Sequence, residues 1–290
     1  MEGITQMESA SHWNFPVEMK PLHFSEDVNL FDVPQSMARA VVRTDTNQIL
    51  HVAGSKYKIV EHDTVINAML DSIKMADLPS DYDWNIKTID NGAKLKVTFD
   101  FKDLTIEPAV GDYINYRISL FNSYDGSWAF MFSACGLRLW CLNGCTTPDT
   151  VASSRQKHTA SINVKQEATK LTRSLQQFHQ SKDLWQYYMK RPVHFSDVEQ
   201  MFKRTLCKQA NPTSQLKHNQ VQLETLMRGY NKESIALGNN MWAVYNTATW
   251  WASHPQETNR TRAAIPVISR NRDVAVANMM RTREWNELVA

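Results

Sequence analysis

Nine side chains of this sequence could act together on a polyanion: Arg117, Arg138, Trp140, Arg155, Lys157, His158, Lys165, Lys170 and Arg173. Guanidinium and ammonium groups bind phosphate oxygens, and an indole ring can stack on a base. Arg155, Lys157 and His158 lead into a stretch of helical spacing, where unpaired amide groups and the helix dipole favour phosphate. Arg117 and Arg138 fall on strand-like stretches. A basic loop, a helix N-terminus and such a strand, brought together, make a groove that follows a nucleic-acid backbone. The competing reading of Lys165, Lys170 and Arg173 is a solvated helix face with no ligand.

Other chemistry has weaker support. His158, His254 and Asp125 are the first candidates for a hydrolytic site, and Cys141, Cys145 and His158 for a zinc site, but no second close-spaced pair completes a tetrahedral ligand set. The sequence holds no phosphate-cradling G-x-x-x-x-G-K, no dinucleotide fingerprint, no H-E-x-x-H and no G-x-S-x-G. No catalytic residue, metal or cofactor is therefore expected, and a metal-dependent hydrolase or nuclease stays as an alternative. Four cysteines, three of them in or just after one strand, do not form a disulfide framework, so reduced thiols are expected.

Charge is uneven along the 290 residues. Residues 1–150 carry 12 Lys and Arg against 20 Asp and Glu, whereas residues 151–220 carry 12 against 4. That basic middle points to a polyanionic partner, or else faces the acidic half within one fold. Hydrophobic residues make up 42% and charged residues 21%, which excludes a disordered chain. No apolar run approaches the roughly 18 residues of a membrane span. No basic-then-apolar leader opens the chain, so a cytoplasmic location without membrane contact is expected.

The periodicities that would position these residues change along the chain. Residues 1–36 read as an irregular arm broken by Pro16, Pro21 and Pro34. Alternating runs predict strands over 37–43, 49–53 and 57–60, then a helix from an Asp63 N-cap to about residue 76, ended by Pro79. Runs over 84–89 and 95–101 flank Asn91-Gly92, the signature of a type I′ hairpin. The next pair of strands, with Ile114, Tyr116, Ile118 and Leu120 inward and Asn115, Arg117 and Ser119 outward, turns at Tyr124-Asp125-Gly126-Ser127. From residue 161 the period is helical, with an apolar stripe of Val164, Ala168, Leu171, Leu175, Phe178 and Trp185. Further helices are expected from a Ser196 to Glu199 capping box, over 215–228 with Gly229 as the stop, and over the aromatic-rich 241–254. Most of those aromatic rings are expected in the core, with one or two available for stacking. Three R-x-R pairs mark a basic tail over 255–290. The expected class is α+β: an antiparallel sheet with a packed helix, then a mostly helical second half. The expected divisions are 1–36, 37–190, 191–254 and 255–290.

Four stretches taken in order carry a resemblance: N-S-Y-D-G-S at 122–127, R-L-W-C-L-N-G at 138–144, K-H-T at 157–159 and W-A-V-Y-N-T-A-T-W-W-A-S-H at 242–254. Their succession over about residues 37–254 resembles the phage and plasmid-like protein family of unknown function. Tyr124 stands where that family often has His. Consecutive antiparallel strands followed by a long basic helix are also similar, at the level of fold, to the RecT and Red-beta type single-strand annealing proteins. That resemblance implies a phage product in a bacterial host cytoplasm that binds single-stranded DNA in recombination or replication. It further implies a homo-oligomeric ring or filament, no nucleotide cofactor, and a possible host or phage replication protein as partner. A protein-interaction module acting on a host factor, with the 241–254 helix and the tail as its surface, is the rival expectation.

Overall fold

The structure is a computed structural model in which the described residues are 13–26, 29–32, 37–54, 56–138, 143–145, 153–156, 163–208, 219–255 and 265–290. The class is α+β: antiparallel strands and one helix come first, and mostly helix follows. The chain divides into two compact units. One comprises Met1–Asp100, Ile118–Ser133 and Ala152–Arg173; the other comprises Phe101–Arg117, Ala134–Val151 and Ser174–Ala290.

The first unit opens with β1 (Val17–Pro21), the hairpin β2 (His23–Glu26) and β3 (Asn29–Asp32), then β4 (Ala38–Arg43) and β5 (Gln48–Gly54). Strand β4 lies between β1 and β5, antiparallel to both, with Val17 opposite Arg43 and Pro21 opposite Arg39. The described part of the expected arm, 13–26 and 29–32, thus holds three strands, and residues 1–12 and 33–36 lie outside the described residues. Pro16 and Pro21 sit at the margins of β1, where a missing amide leaves the ladder intact. Phe15, Val17, Val41, Ala53 and Tyr124 form a buried cluster. Residues 57–60 make no strand. The Tyr57 amide instead closes a turn on the Gly54 carbonyl at 3.0 Å, and its hydroxyl donates to the Ser123 and Tyr124 carbonyls at 3.2 and 3.0 Å.

Helix α1 (His62–Met75) starts one residue before the expected cap: Glu61 is its N-cap and Asp63 lies in the first turn. Its buried stripe is Val65, Ile66, Met69 and Ile73. It ends in a Schellman turn, with Asp77 at φ 55° donating to Lys74 and Leu78 donating to Ile73, and Leu78 itself is buried. Pro79 follows that stop instead of causing it.

The larger sheet contains β6 (Tyr82–Ile89), β7 (Lys94–Ala109), β8 (Asp112–Ser123), β9 (Phe130–Arg138), β10 (Asn143–Cys145) and β11 (Ser153–Gln156). Its order is β10-β9-β8-β7-β6, and β11 also pairs with β9. The β6–β7 turn centres on Asp90 and Asn91, at φ 53° and 57°, one residue earlier than Asn-Gly suggests, with Gly92 following at 93°. Asn115 and Ser119, expected to face water, are each 8% exposed; Asn115 accepts a hydrogen bond from Thr105 at 2.7 Å.

The second unit is built on α2 (Val164–Lys190, shared with the first unit), α3 (Phe195–Arg204), α4 (Gln220–Leu237), α5 (Met241–Ser253), α6 (Ile265–Met279) and α7 (Arg283–Val289). His194, not Ser196, is the N-cap of α3. Helix α4 runs through Gly229, whose missing side chain admits Thr247 of α5, and stops at Gly238 with φ 85°. Helices α6 and α7, with the turn between them, bury Val276, Met279, Met280 and Trp285, so this part of the expected tail packs as core. A chain of rings in contact, Tyr116, Phe178, Trp185, Trp242, Tyr245, Tyr188 and Trp285, has centroids 5.3 to 6.2 Å apart. Such contacts add about 0.5–1.5 kcal/mol per pair beyond burial. No described helix is long and apolar enough to cross a membrane.

Candidate nucleic-acid interface

The nine candidate side chains are divided between the two units. Arg155, Lys157, His158, Lys165, Lys170 and Arg173 belong to the first unit, and Arg117, Arg138 and Trp140 to the second. Trp140, Lys157 and His158 lie outside the described residues. Arg155 is placed by its backbone, opposite Met131 on β9, and Lys165 by its backbone in the first turn of α2; both side chains lie outside the description. Lys170 is half-buried and Arg173 exposed, next to the buried Leu171 of the same helix. Asn163 caps that helix, its side-chain oxygen accepting from the Gln166 amide at 3.2 Å. Arg117 is half-buried on β8.

Arg138 is the correction. It is 1% exposed: its Nε donates to Asp112 at 2.6 Å and its Nη1 to Glu233 at 3.3 Å. Asp112 takes a further bond from the Trp242 indole at 3.1 Å, and the guanidinium sits 5.7 Å from that ring. A phosphate would have to displace two carboxylates and enter an aromatic core, so Arg138 is withdrawn as a contact. Its motif is a buried ion cluster joining β8, β9, α4 and α5.

Asn122, Ser123 and Tyr124 of the N-S-Y-D-G-S turn are also buried, whereas Gly126 and Ser127 are exposed. Asn122 donates to the Val60 carbonyl at 2.9 Å and lies 3.0 Å from Nδ1 of His62. Nε2 of His62 meets the Gly92 carbonyl at 2.9 Å, so the Nε2–H tautomer satisfies both ring nitrogens. The Tyr124 hydroxyl accepts from the His62 amide at 2.9 Å, while Ser123 bonds both backbone groups of Trp128. His62, fully buried, is the residue that sequence reasoning missed, because its partners lie 30 to 62 positions away.

Asp125, the hydrolytic candidate, is engaged structurally. It pairs with Lys94 at 2.7 Å and accepts from the Ser127 amide at 2.9 Å. Burial raises its carboxyl, but Lys94 and Ser127 outweigh burial and hold it below the ordinary value. Lys94 is lowered by burial and raised more by Asp125 and Asp90. A depressed carboxylate stabilises above its unfolded pKa and loses that contribution as pH falls through the folded one. A raised lysine stabilises below its unfolded pKa and loses its contribution as pH rises through the folded one. The pair therefore contributes between about pH 4 and pH 10. Asp125→Asn is expected to cost about 1–2 kcal/mol in urea denaturation at pH 7, shrinking as pH falls toward about 2. An equal cost at both pH values would show that the ion pair is not the source.

His254 stacks on Trp250 with centroids 5.4 Å apart and its Nδ1 meets the Trp250 carbonyl at 3.1 Å. Helix α5 is buried along nearly its whole length, as expected of most of its rings, and Trp250 is half-exposed. Arg272 of the second R-x-R pair stacks on Trp251 at 4.5 Å and donates to its carbonyl at 2.8 Å. Cys141 and His158 lie outside the described residues. Among the described residues no group of three His, Cys, Asp or Glu is placed to hold a metal ion. Cys135 and Cys207 are in no disulfide, and burial pushes Cys207 up to about 12.

No curated protein and no solved structure matches the chain. The agreement that exists is with a family: residues 49–282, from β5 to the last turn before α7, match the one described as Domain of unknown function (DUF932), and the chain belongs to that family.

Proposed function

We propose that the chain binds single-stranded DNA through the basic segment 155–173 and acts, as a homo-oligomer, in annealing or protecting strands during recombination or replication. The observation that carries the reading is composition within one compact unit: Ala152–Arg173 holds five Lys and Arg against one Glu, and Arg173 is exposed. Phosphate-driven binding needs such a cluster and no catalytic constellation. Self-association is supported by β5, an edge strand without a charged residue on which Ile49 and Val52 are 59% and 51% exposed.

Anisotropy titrations of short labelled oligonucleotides test the reading. Affinity should fall steadily as salt rises, and Lys157→Glu, Lys165→Glu and Arg173→Glu should each weaken all sequences alike, flattening the salt dependence by about one phosphate contact. Lys232→Glu, an exposed charge in the second unit, should change little. Absent binding at low salt, or affinity indifferent to salt, would remove the proposal. Retention of a host protein without DNA would then favour the interaction module, and cleavage dependent on divalent metal and His158 the nuclease.

A further inference from the structure

The apolar stripe of α2 contains two residues that a dry core does not want. Buried positions along it are Leu171, Ser174, Phe178, Ser181, Trp185 and Tyr188, so hydroxyls recur between large rings at core spacing. Ser174 shares a short hydrogen bond with the Tyr116 hydroxyl, and Ser181 donates to the Gln177 carbonyl at 2.9 Å. The Ser181 oxygen, donating to that carbonyl, has lone pairs with which to accept. Between these side chains lies a cavity of 10 Å³ lined by Tyr116, Ser174, Phe178, Ser181 and Trp185 together with the 134–136 stretch of β9. Trp185 is 1% exposed, and its indole Nε1–H has no hydrogen-bond partner among the described residues.

A buried donor left without a bond loses its hydration and gains nothing in return, a cost that native cores avoid by recruiting water. A buried water needs about 10–15 Å³ of such space and two to four polar partners. The cavity meets both conditions and is too small for any larger guest. We propose that it holds one ordered water molecule, which accepts the Trp185 Nε1–H and donates to Ser181 Oγ and to the Tyr116–Ser174 hydroxyl pair. The water completes a polar bridge from α2 to β8 in the second unit. It accounts for both serines in the stripe, since alanine at either position would leave the water, or the indole, short of a partner.

A crystal structure of the full chain at high resolution should show a density peak about 2.9 Å from Trp185 Nε1. In solution, one of the nine indole N–H signals should give a rotating-frame Overhauser peak to water, with the sign of a resident molecule and not of proton exchange. Trp185→Phe should delete that signal. If that variant does not fold, Ser181→Ala should shift the same signal and weaken its water peak, leaving the other eight indoles unchanged. An empty cavity, Nε1 bonded directly to a protein oxygen, or a peak with exchange sign would each overturn the proposal.

Discussion

Replacing Arg138 by Met is expected to destabilise the chain by about 3–5 kcal/mol, a large share of the roughly 5–15 kcal/mol that holds a protein folded. The reason is what the substitution leaves behind. Asp112 and Glu233 are both buried on the guanidinium, and without it two carboxylates lose the cation that offsets their charge beside an aromatic core, the Trp242 indole still donating to Asp112. Removing a charge together with its partner should hurt less than the sum. The Asp112→Asn/Arg138→Met double variant is therefore expected to lose less than the two single losses added, the mark of a direct interaction. Urea denaturation at fixed pH measures all three. A loss under about 1 kcal/mol for Arg138→Met would mean that water reaches the cluster and that Arg138 can turn outward, restoring it as a phosphate contact.

The sequence makes local features legible and hides long-range ones. Strands β4 to β9 follow from alternation, and the NSYDGS reversal from Asp-Gly, because each rests on neighbours a few positions apart. The burial of Arg138, expected as a phosphate contact, and the partners of Asn122, expected only as part of a turn, stay hidden for the same reason: what they meet lies elsewhere in the chain. Asn122 meets His62 across 60 positions, and Arg138 meets Glu233 across 95. Hydrophobic pattern sorts a residue to one face, but whether that face is later covered depends on elements not yet read. Asn115 and Ser119 were misjudged so, and Gly229, a stop by local rules, is a contact point between two helices. The basic segment 155–173 is the part of the candidate site that sequence alone nominated, and its last residue, Arg173, is exposed.

The residues before the family match have a place in this logic. The match begins at residue 49, yet Phe15 and Arg43 close the His62 cluster from outside it. The Phe15 ring lies 6.0 Å from His62 and 5.8 Å from Tyr124, with the Arg43 guanidinium 3.8 Å above it. Arg43 in turn donates to the Asn91 carbonyl at 3.1 Å and pairs with Asp45 at 2.8 Å. The N-terminal strands are thereby tied to the turn between β6 and β7.

Gly92→Ala is expected to break that tie and cost about 2–4 kcal/mol. Two effects add. Gly92 sits at φ 93°, where a side chain is strained by about 1 kcal/mol or more, and its Cβ would stand 2.6 Å from Cε1 of Phe15 and 3.3 Å from Nη1 of Arg43. Phe15 is buried and cannot swing into solvent without exposing His62 and Tyr124, so the turn must move instead, pulling the Gly92 carbonyl from His62. Gly111→Ala separates the two effects, because Gly111 has φ 79° with nothing within 4 Å of its Cβ and should cost only the backbone strain. Phe15→Val should recover part of the Gly92→Ala loss and none of the Gly111→Ala loss. Thermal or urea unfolding of the four variants decides the matter: if Gly92→Ala proves no worse than Gly111→Ala, Phe15 is not seated on the turn, and the segment before residue 49 is an appendage and not part of this unit's core.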